Sequence, residues 1–162
     1  MNFEEVYTNF SSRIFRVCMG YVNDPEQARD LTQETFILVW QNLSKFRNES
    51  KISTWIFRIA TNVCLRAIEK SNRVRTVDLP HDLPNKVSET AKREHSKKLR
   101  VLYDSIGELE ETDKLIISLV LEELPQKEIA EIVGLSEGNI RVKVHRIKQK
   151  LADNVKKHGR LE

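Results

Sequence analysis

Cysteine, glycine, proline and aromatic residues are all scarce in this chain of 162 residues, and each scarcity removes a class of architecture. The two cysteines, Cys18 and Cys64, form no Cys-x-x-Cys pair, so neither a disulfide scaffold nor a zinc ribbon is encoded. Both fall near apolar helical stripes and read as small buried hydrophobes. His81, His95, His145 and His158 are scattered without ligand spacing, so no metal and no cofactor is expected. Five glycines and four prolines are too few for a collagen-like chain or an all-β chain with frequent tight turns. The apolar run Leu115–Leu121 is short and already interrupted by Ser118, against about 20 residues needed to span a bilayer. The start, Met1-Asn2-Phe3-Glu4-Glu5, lacks a basic region followed by an apolar one, so the expected location is the cytoplasm, without membrane insertion. A glycine-rich phosphate loop, a nucleophile–base pair and a carboxylate cluster are missing too. No catalytic residue is assigned, and the chain is read as a non-enzyme.

What is present is charge and helix-forming sequence: 31% charged, 40% hydrophobic, net charge +3. Phe3, Val6, Phe10, Ile14, Val17 and Tyr21 step by three and four, one face of a first helix. Asp24-Pro25-Glu26-Gln27 reads as an N-cap, a proline at the first helical position and a capping-box partner, opening a second helix that runs to about Leu43. After a polar break, Ile52, Ile56, Ile59, Val63 and Ala67 define a third. Trp40, Phe57 and Phe15 are read as core. From Ser71 to about Thr90 no period is sustained and Pro80 and Pro84 intervene, the pattern of a linker. Beyond it the apolar spacing predicts four more helices. The fold class is therefore all-α: two small helical domains, 1–71 and 92–162, joined by a flexible linker, 72–91, with a helix-turn-helix in the second. Each half is small enough to be only marginally stable unless it docks onto something.

The second half carries the clearer motif. Gln126 to Ile140 has helix-turn-helix spacing: Ala130 is small where two helices approach, Gly134 suits a positive φ at a helix end, and Ser136 suits an N-cap. Ile129, Val133, Leu135 and Ile140 supply the buried wedge. Residues 107–137 hold nine acidic and two basic side chains, whereas 138–162 hold eight basic and two acidic, so positive charge begins where the second helix does. With Ile140, Val144, Ile147 and Leu151 facing inward, the outward face offers Ser136, Glu137, Asn139, Arg141, Val142, Lys143, His145, Arg146 and Lys148 to a major groove. Arg146 suits guanine, Val142 a thymine methyl, and the lysines phosphates.

In the first half, Asp30-Leu31-Thr32-Gln33-Glu34-Thr35-Phe36, Lys45-Phe46-Arg47 and Ser53 to Asn62 resemble region 2 of the extracytoplasmic-function (ECF) sigma factors of the sigma-70 superfamily, and the helix-turn-helix resembles their region 4. The resemblance implies that Glu26, Asp30, Leu31, Gln33, Glu34 and Phe36 bind core RNA polymerase through the clamp helices of its largest subunit. It also implies that Lys45, Phe46, Arg47, Ser50, Lys51, Thr54, Trp55, Arg58, Asn62 and Arg66 recognise and melt the promoter −10 element, and that the second half binds the −35 element. Separated strands expose base faces for stacking and edges for hydrogen bonds, which an aromatic, amide and cation mixture suits. The loop departs from the family at Asn48-Glu49, where Gly-Asp is frequent, and Pro125 stands where Ser is common.

A joining segment of about 20 residues spans at most roughly 65 Å, nearly two turns of duplex, so two separated elements are within reach. Expected partners are core RNA polymerase, promoter DNA and an anti-sigma factor of the kind often found in the family. The rival reading is a helix-turn-helix regulator of duplex DNA that acts without being a polymerase subunit.

Overall fold

The structure, a computed structural model, describes residues 2–73 and 90–160; of 68–73 and 90–95 only the helical backbone is described. The expected linker falls almost wholly outside these residues. Seven α-helices and one short 3-10 turn make up the described chain: α1 Phe3–Val22, α2 Pro25–Asn42, the turn Leu43–Lys45, α3 Ile52–Arg73, α4 Thr90–Gly107, α5 Glu111–Leu121, α6 Gln126–Val133 and α7 Glu137–Arg160. No strand occurs among the described residues.

Local chemistry sets the helix ends. Asn2 caps α1 in a full capping box with Glu5. Asp24 accepts from the Glu26 and Gln27 backbone N–H groups, and Pro25 occupies the first turn of α2, where its missing donor has no intrahelical partner to lose. Asn23 ends α1 in the left-handed conformation, φ 49°, and its side-chain amide donates to Asp104 Oδ1 of α4 at 2.8 Å.

Helices α1–α3 pack against one another, and α4–α7 do the same, but the two groups are not separate: α1 also lies against α4 and α5, and α3 lies against α6. Val6, Phe10, Ile14, Val17, Phe57, Ile106, Leu115, Ile116, Leu119, Ile129 and Ile140 belong to one continuous buried cluster. Each small half thus gains from the other the burial it lacks alone. At Gly20 α1 runs close to α5: a Cβ there would lie 2.1 Å from the Ser118 hydroxyl. Cys18 and Cys64 are both buried and free, their Sγ atoms 3.9 Å apart between α1 and α3.

Candidate nucleic-acid interface

The helix-turn-helix forms as its residues dictate. Gly134 ends α6 at φ 77°, a left-handed turn that glycine adopts without Cβ strain, and its N–H returns to the Ala130 carbonyl. Ala130 is buried at the crossing. Ser136 Oγ accepts from the Asn139 N–H at 3.1 Å, capping α7. Pro125 is the residue that caps α6, a position that requires no donor. Ile140, Val144 and Ile147 turn inward, which leaves Ser136, Glu137, Asn139, Arg141, Val142, His145, Arg146 and Lys148 exposed together on one face. Val142 is 51% exposed. Lys143 is half-buried, its ammonium 3.9 Å from Asp113 of α5.

The −10 candidates gather on the loop before α3 and on its outer side. Lys45, Arg47, Lys51, Asn62 and Arg66 are exposed; Phe46, Ser50, Trp55 and Arg58 are half-buried. Phe46 and Trp55 sit ring to ring, centroids 5.1 Å apart, so the loop aromatic and the helix aromatic form one platform. Asn48 takes φ 57°; asparagine tolerates the left-handed conformation nearly as glycine does, so its place in the loop preserves a glycine-like backbone. Lys51 Nζ lies 2.7 Å from Glu128 of α6, and Arg58 donates to the Glu131 backbone carbonyl at 3.1 Å.

One member of this set is corrected: Thr54 is 1% exposed and cannot meet DNA. An amphipathic helix with one buried stripe would leave it free, but α3 is packed by α1, α2 and α6, so its polar arc is narrower. Thr61 is buried for the same reason.

On α2, Glu26, Asp30, Gln33 and Glu34 are exposed, whereas Leu31 and Phe36 are buried, and Leu31 serves the core rather than a partner. Phe36 still borders the surface. With Phe3, Tyr7, Gln33, Ile37 and Trp40 it lines an open apolar groove of about 440 Å³ between α1 and α2, where Tyr7 meets its ring edge-on at 5.0 Å. Trp40, expected in the core, is 65% exposed, and Ile37 is 55% exposed. The signal for this groove lay in the run Phe36-Ile37-Leu38-Val39-Trp40. Five consecutive apolar residues encircle a helix, more circumference than two neighbours cover. Phe57 is fully buried and Phe15 partly so, both packed in the core.

A third cluster joins the halves. Arg16 of α1 forms a fork on Glu122 at the end of α5, Nε to Oε1 at 2.6 Å and Nη2 to Oε2 at 3.0 Å. Arg13 adds a bond from Nη2 to the Glu122 carbonyl at 3.0 Å, and its guanidinium lies 5.0 Å from the centre of the Phe57 ring. The Glu122 side chain is 7% exposed, and the bond it accepts raises the Arg16 pKa. Nothing in the local sequence marks this trio, whose members lie on opposite halves of the chain.

No helix among the described residues is long and apolar enough to cross a membrane, and no group of metal-ligating side chains occurs among them.

Comparison with known proteins agrees with this geometry. Residues 6–74 match the family described as Sigma-70 region 2, and residues 99–151 match Sigma-70, region 4. The ECF RNA polymerase sigma factor SigE of Mycolicibacterium smegmatis is 28% identical over 98% of this chain, which spans 63% of that relative. The ECF RNA polymerase sigma factor SigM of Bacillus subtilis is 28% identical over 93% of both chains. In fold, the chain is similar to the sigma factor RpoE of Bartonella quintana, solved with the anti-sigma factor NepR, at TM-score 0.79 and 19% identity over 95% of this chain and 96% of that one. CnrH, solved with the cytosolic domain of CnrY, gives TM-score 0.69 at 19% identity over 93% and 85%. With both regions matched in order along one chain, and ECF sigma factors aligned over nearly its whole length, the chain belongs to the ECF group of the sigma-70 family.

Proposed function

We propose that this chain is an alternative sigma factor that binds core RNA polymerase in the cytoplasm, reads −35 and −10 promoter elements and promotes melting for transcription initiation. The observation that carries the reading is the pairing of two unlike surfaces on one chain. The rigid, capped α7 presents Arg141, Val142, His145 and Arg146 outward, a shape suited to the major groove of duplex DNA. The α3 surface instead presents the Phe46–Trp55 platform beside Arg58 and Asn62, chemistry suited to unstacked bases. A duplex-binding regulator has no use for the second surface. The groove with Trp40 and Ile37, flanked by Gln33 and acidic α2, suits an apolar and basic partner helix, and we assign it to core polymerase. Nucleotidyl transfer is left to the polymerase, and an anti-sigma factor would compete for these same faces.

The test is transcription by sigma-free core polymerase with the purified chain on fragmented genomic DNA, mapping RNA 5′ ends at fixed salt. Discrete starts behind a shared two-part element, lost with Asn62→Ala or Arg146→Ala, are expected. Duplex binding without any starts would transfer the chain to the regulator class.

A further inference from the structure

Cys18 and Cys64 are the whole thiol complement of the chain. They stand 46 positions apart, yet the fold brings them together, the Cys64 thiol of α3 donating to Cys18 Sγ of α1 at 3.9 Å. Both are free and fully buried. A small apolar core position is satisfied by either thiol alone, and alanine would serve it as well. Two thiols in contact add something that neither has alone, because together they can lose two electrons and become a disulfide. The donated hydrogen bond favours the thiolate at Cys18 and lowers its pKa against the opposing effect of burial, whereas the pKa of Cys64, the donor, is raised. Cys18 is thus the nucleophile of the pair and Cys64 the thiol that resolves it. The surroundings are not wholly apolar. Tyr21, one turn beyond Cys18, and Thr61, one turn before Cys64, bury hydroxyls that have no hydrogen-bond partner among the described residues. Burial, then Glu111 and then Cys64, push the Tyr21 pKa above the ordinary tyrosine range, so this hydroxyl stays a donor.

We propose that Cys18 and Cys64 form a redox modification site that takes hydrogen peroxide, an oxidant small and uncharged enough to enter a buried seam, and becomes a disulfide joining α1 to α3. The Cys18 thiolate attacks one peroxide oxygen, the O–O bond breaks, and the departing hydroxide takes the proton that Cys18 gave up, leaving a sulfenic acid. The Cys64 sulfur then attacks Cys18 Sγ, the S–O bond breaks, and the second hydroxide leaves with the Cys64 proton. Two thiols and one peroxide have become one disulfide and two waters, the peroxide having accepted two electrons. Closure from 3.9 Å to bonding distance moves the sulfurs by about 2 Å, the scale on which packed helices shift past one another. Because both sulfurs are buried, transient opening of the seam sets the rate. Asn62 and Arg66, two residues to either side of Cys64, are exposed on the outer face of α3. A bond drawn at the back of this helix therefore displaces the face assigned to separated strands relative to α1 and α2. That consequence, poorer promoter opening by the oxidised chain, rests on the sigma reading; the chemistry does not.

The test exposes the reduced, folded chain to hydrogen peroxide at neutral pH, removes the oxidant with catalase, and then alkylates in denaturant and digests. The expected product is a monomer about 2 Da lighter than the reduced chain, with one linked peptide pair that contains Cys18 and Cys64. Cys64→Ala should stop at a Cys18 sulfenic acid that dimedone traps, and Cys18→Ala should be labelled far less. Added to untreated core polymerase, the oxidised chain should initiate on the order of tenfold less from a duplex promoter, the scale of effect that a displaced functional face produces, and dithiothreitol should restore it. Cys18→Ala, put through the same treatment, should be indifferent to peroxide. A wild-type chain that keeps both thiols, or links only to other molecules, would overturn the site, and a disulfide that leaves initiation unchanged would overturn its effect on promoter opening. If the reduced chain initiates from no promoter at all, it is the sigma reading that fails, while the mass measurement still decides the chemistry.

Discussion

The two helices assigned here to DNA are built alike and presented differently. Both α3 and α7 bury an apolar stripe and turn cations outward, but α7 faces solvent along its recognition side, whereas α3 carries α6 against part of its own. Under the proposed function, the reason lies in what each surface would read. Duplex DNA is available without any prior step, so a surface for it needs only rigidity, which the Gly134 turn and Ser136 cap supply. Separated strands exist only after an unstacking cost of a few kcal/mol per step has been met. A surface for them requires aromatics and unpaired donors, groups that readily find other partners when strands are absent, and here the partner is the chain itself.

The most severe way to break this contrast is to remove the core on which both faces stand. Phe57 is fully buried in α3, packs edge-on against Phe10 and lies beneath Arg13. Phe57→Ala should cost about 3–5 kcal/mol in urea unfolding and weaken the α7 half along with the α3 half. A loss of less than about 1 kcal/mol would show that the shared core is not what supports them.

A smaller effect separates docking from DNA reading. Trp40→Ala removes an exposed ring, so stability should hardly change, while affinity for core polymerase falls by about 2 kcal/mol or more, the scale of an aromatic anchor. Undiminished polymerase binding would remove the α1–α2 groove from the docking surface. The finest discrimination compares two arginines. Arg146→Ala should weaken binding to a mapped −35 duplex by about 1–3 kcal/mol whether or not polymerase is present. Arg58→Ala should reduce strand opening on the polymerase yet leave strand binding by the free chain nearly unaltered, because that guanidinium is already engaged. If both variants behave alike in both settings, the two faces do not differ as argued.

Much of this was legible in the sequence because it is local. The cap at Ser136, the turn at Gly134, the inward triplet Ile140, Val144 and Ile147, and the start of α2 at Asp24-Pro25 each depend on residues within one or two helical turns. What escaped depends on how many neighbours a helix has. Thr54 is buried because a third element lies on α3, and Trp40 is exposed because no third element lies on α2 where its apolar run continues round. Long-range pairs such as Arg16 with Glu122 leave no periodic trace, since each partner alone reads as an ordinary surface charge. The acidic stretch 107–137 showed only as a sum. Its structure resolves it into separate tasks: Glu122 for the arginines of α1, Glu128 for Lys51, Asp113 for Lys143 and Glu108 for His158.

Gly20 carries one more consequence. A glycine inside a helix lowers that helix's own stability by roughly 0.5–1 kcal/mol relative to alanine, and in α1 the benefit that offsets this, close contact with Ser118, lasts only while α5 is seated. Wherever α5 is displaced from α1, the backbone around Gly20 is left as a weak turn with nothing leaning on it. Its amide protons should then trade with solvent deuterium far faster than those near Val6 and Phe10, which makes this single turn a reporter, readable by mass, of whether α5 is seated on α1.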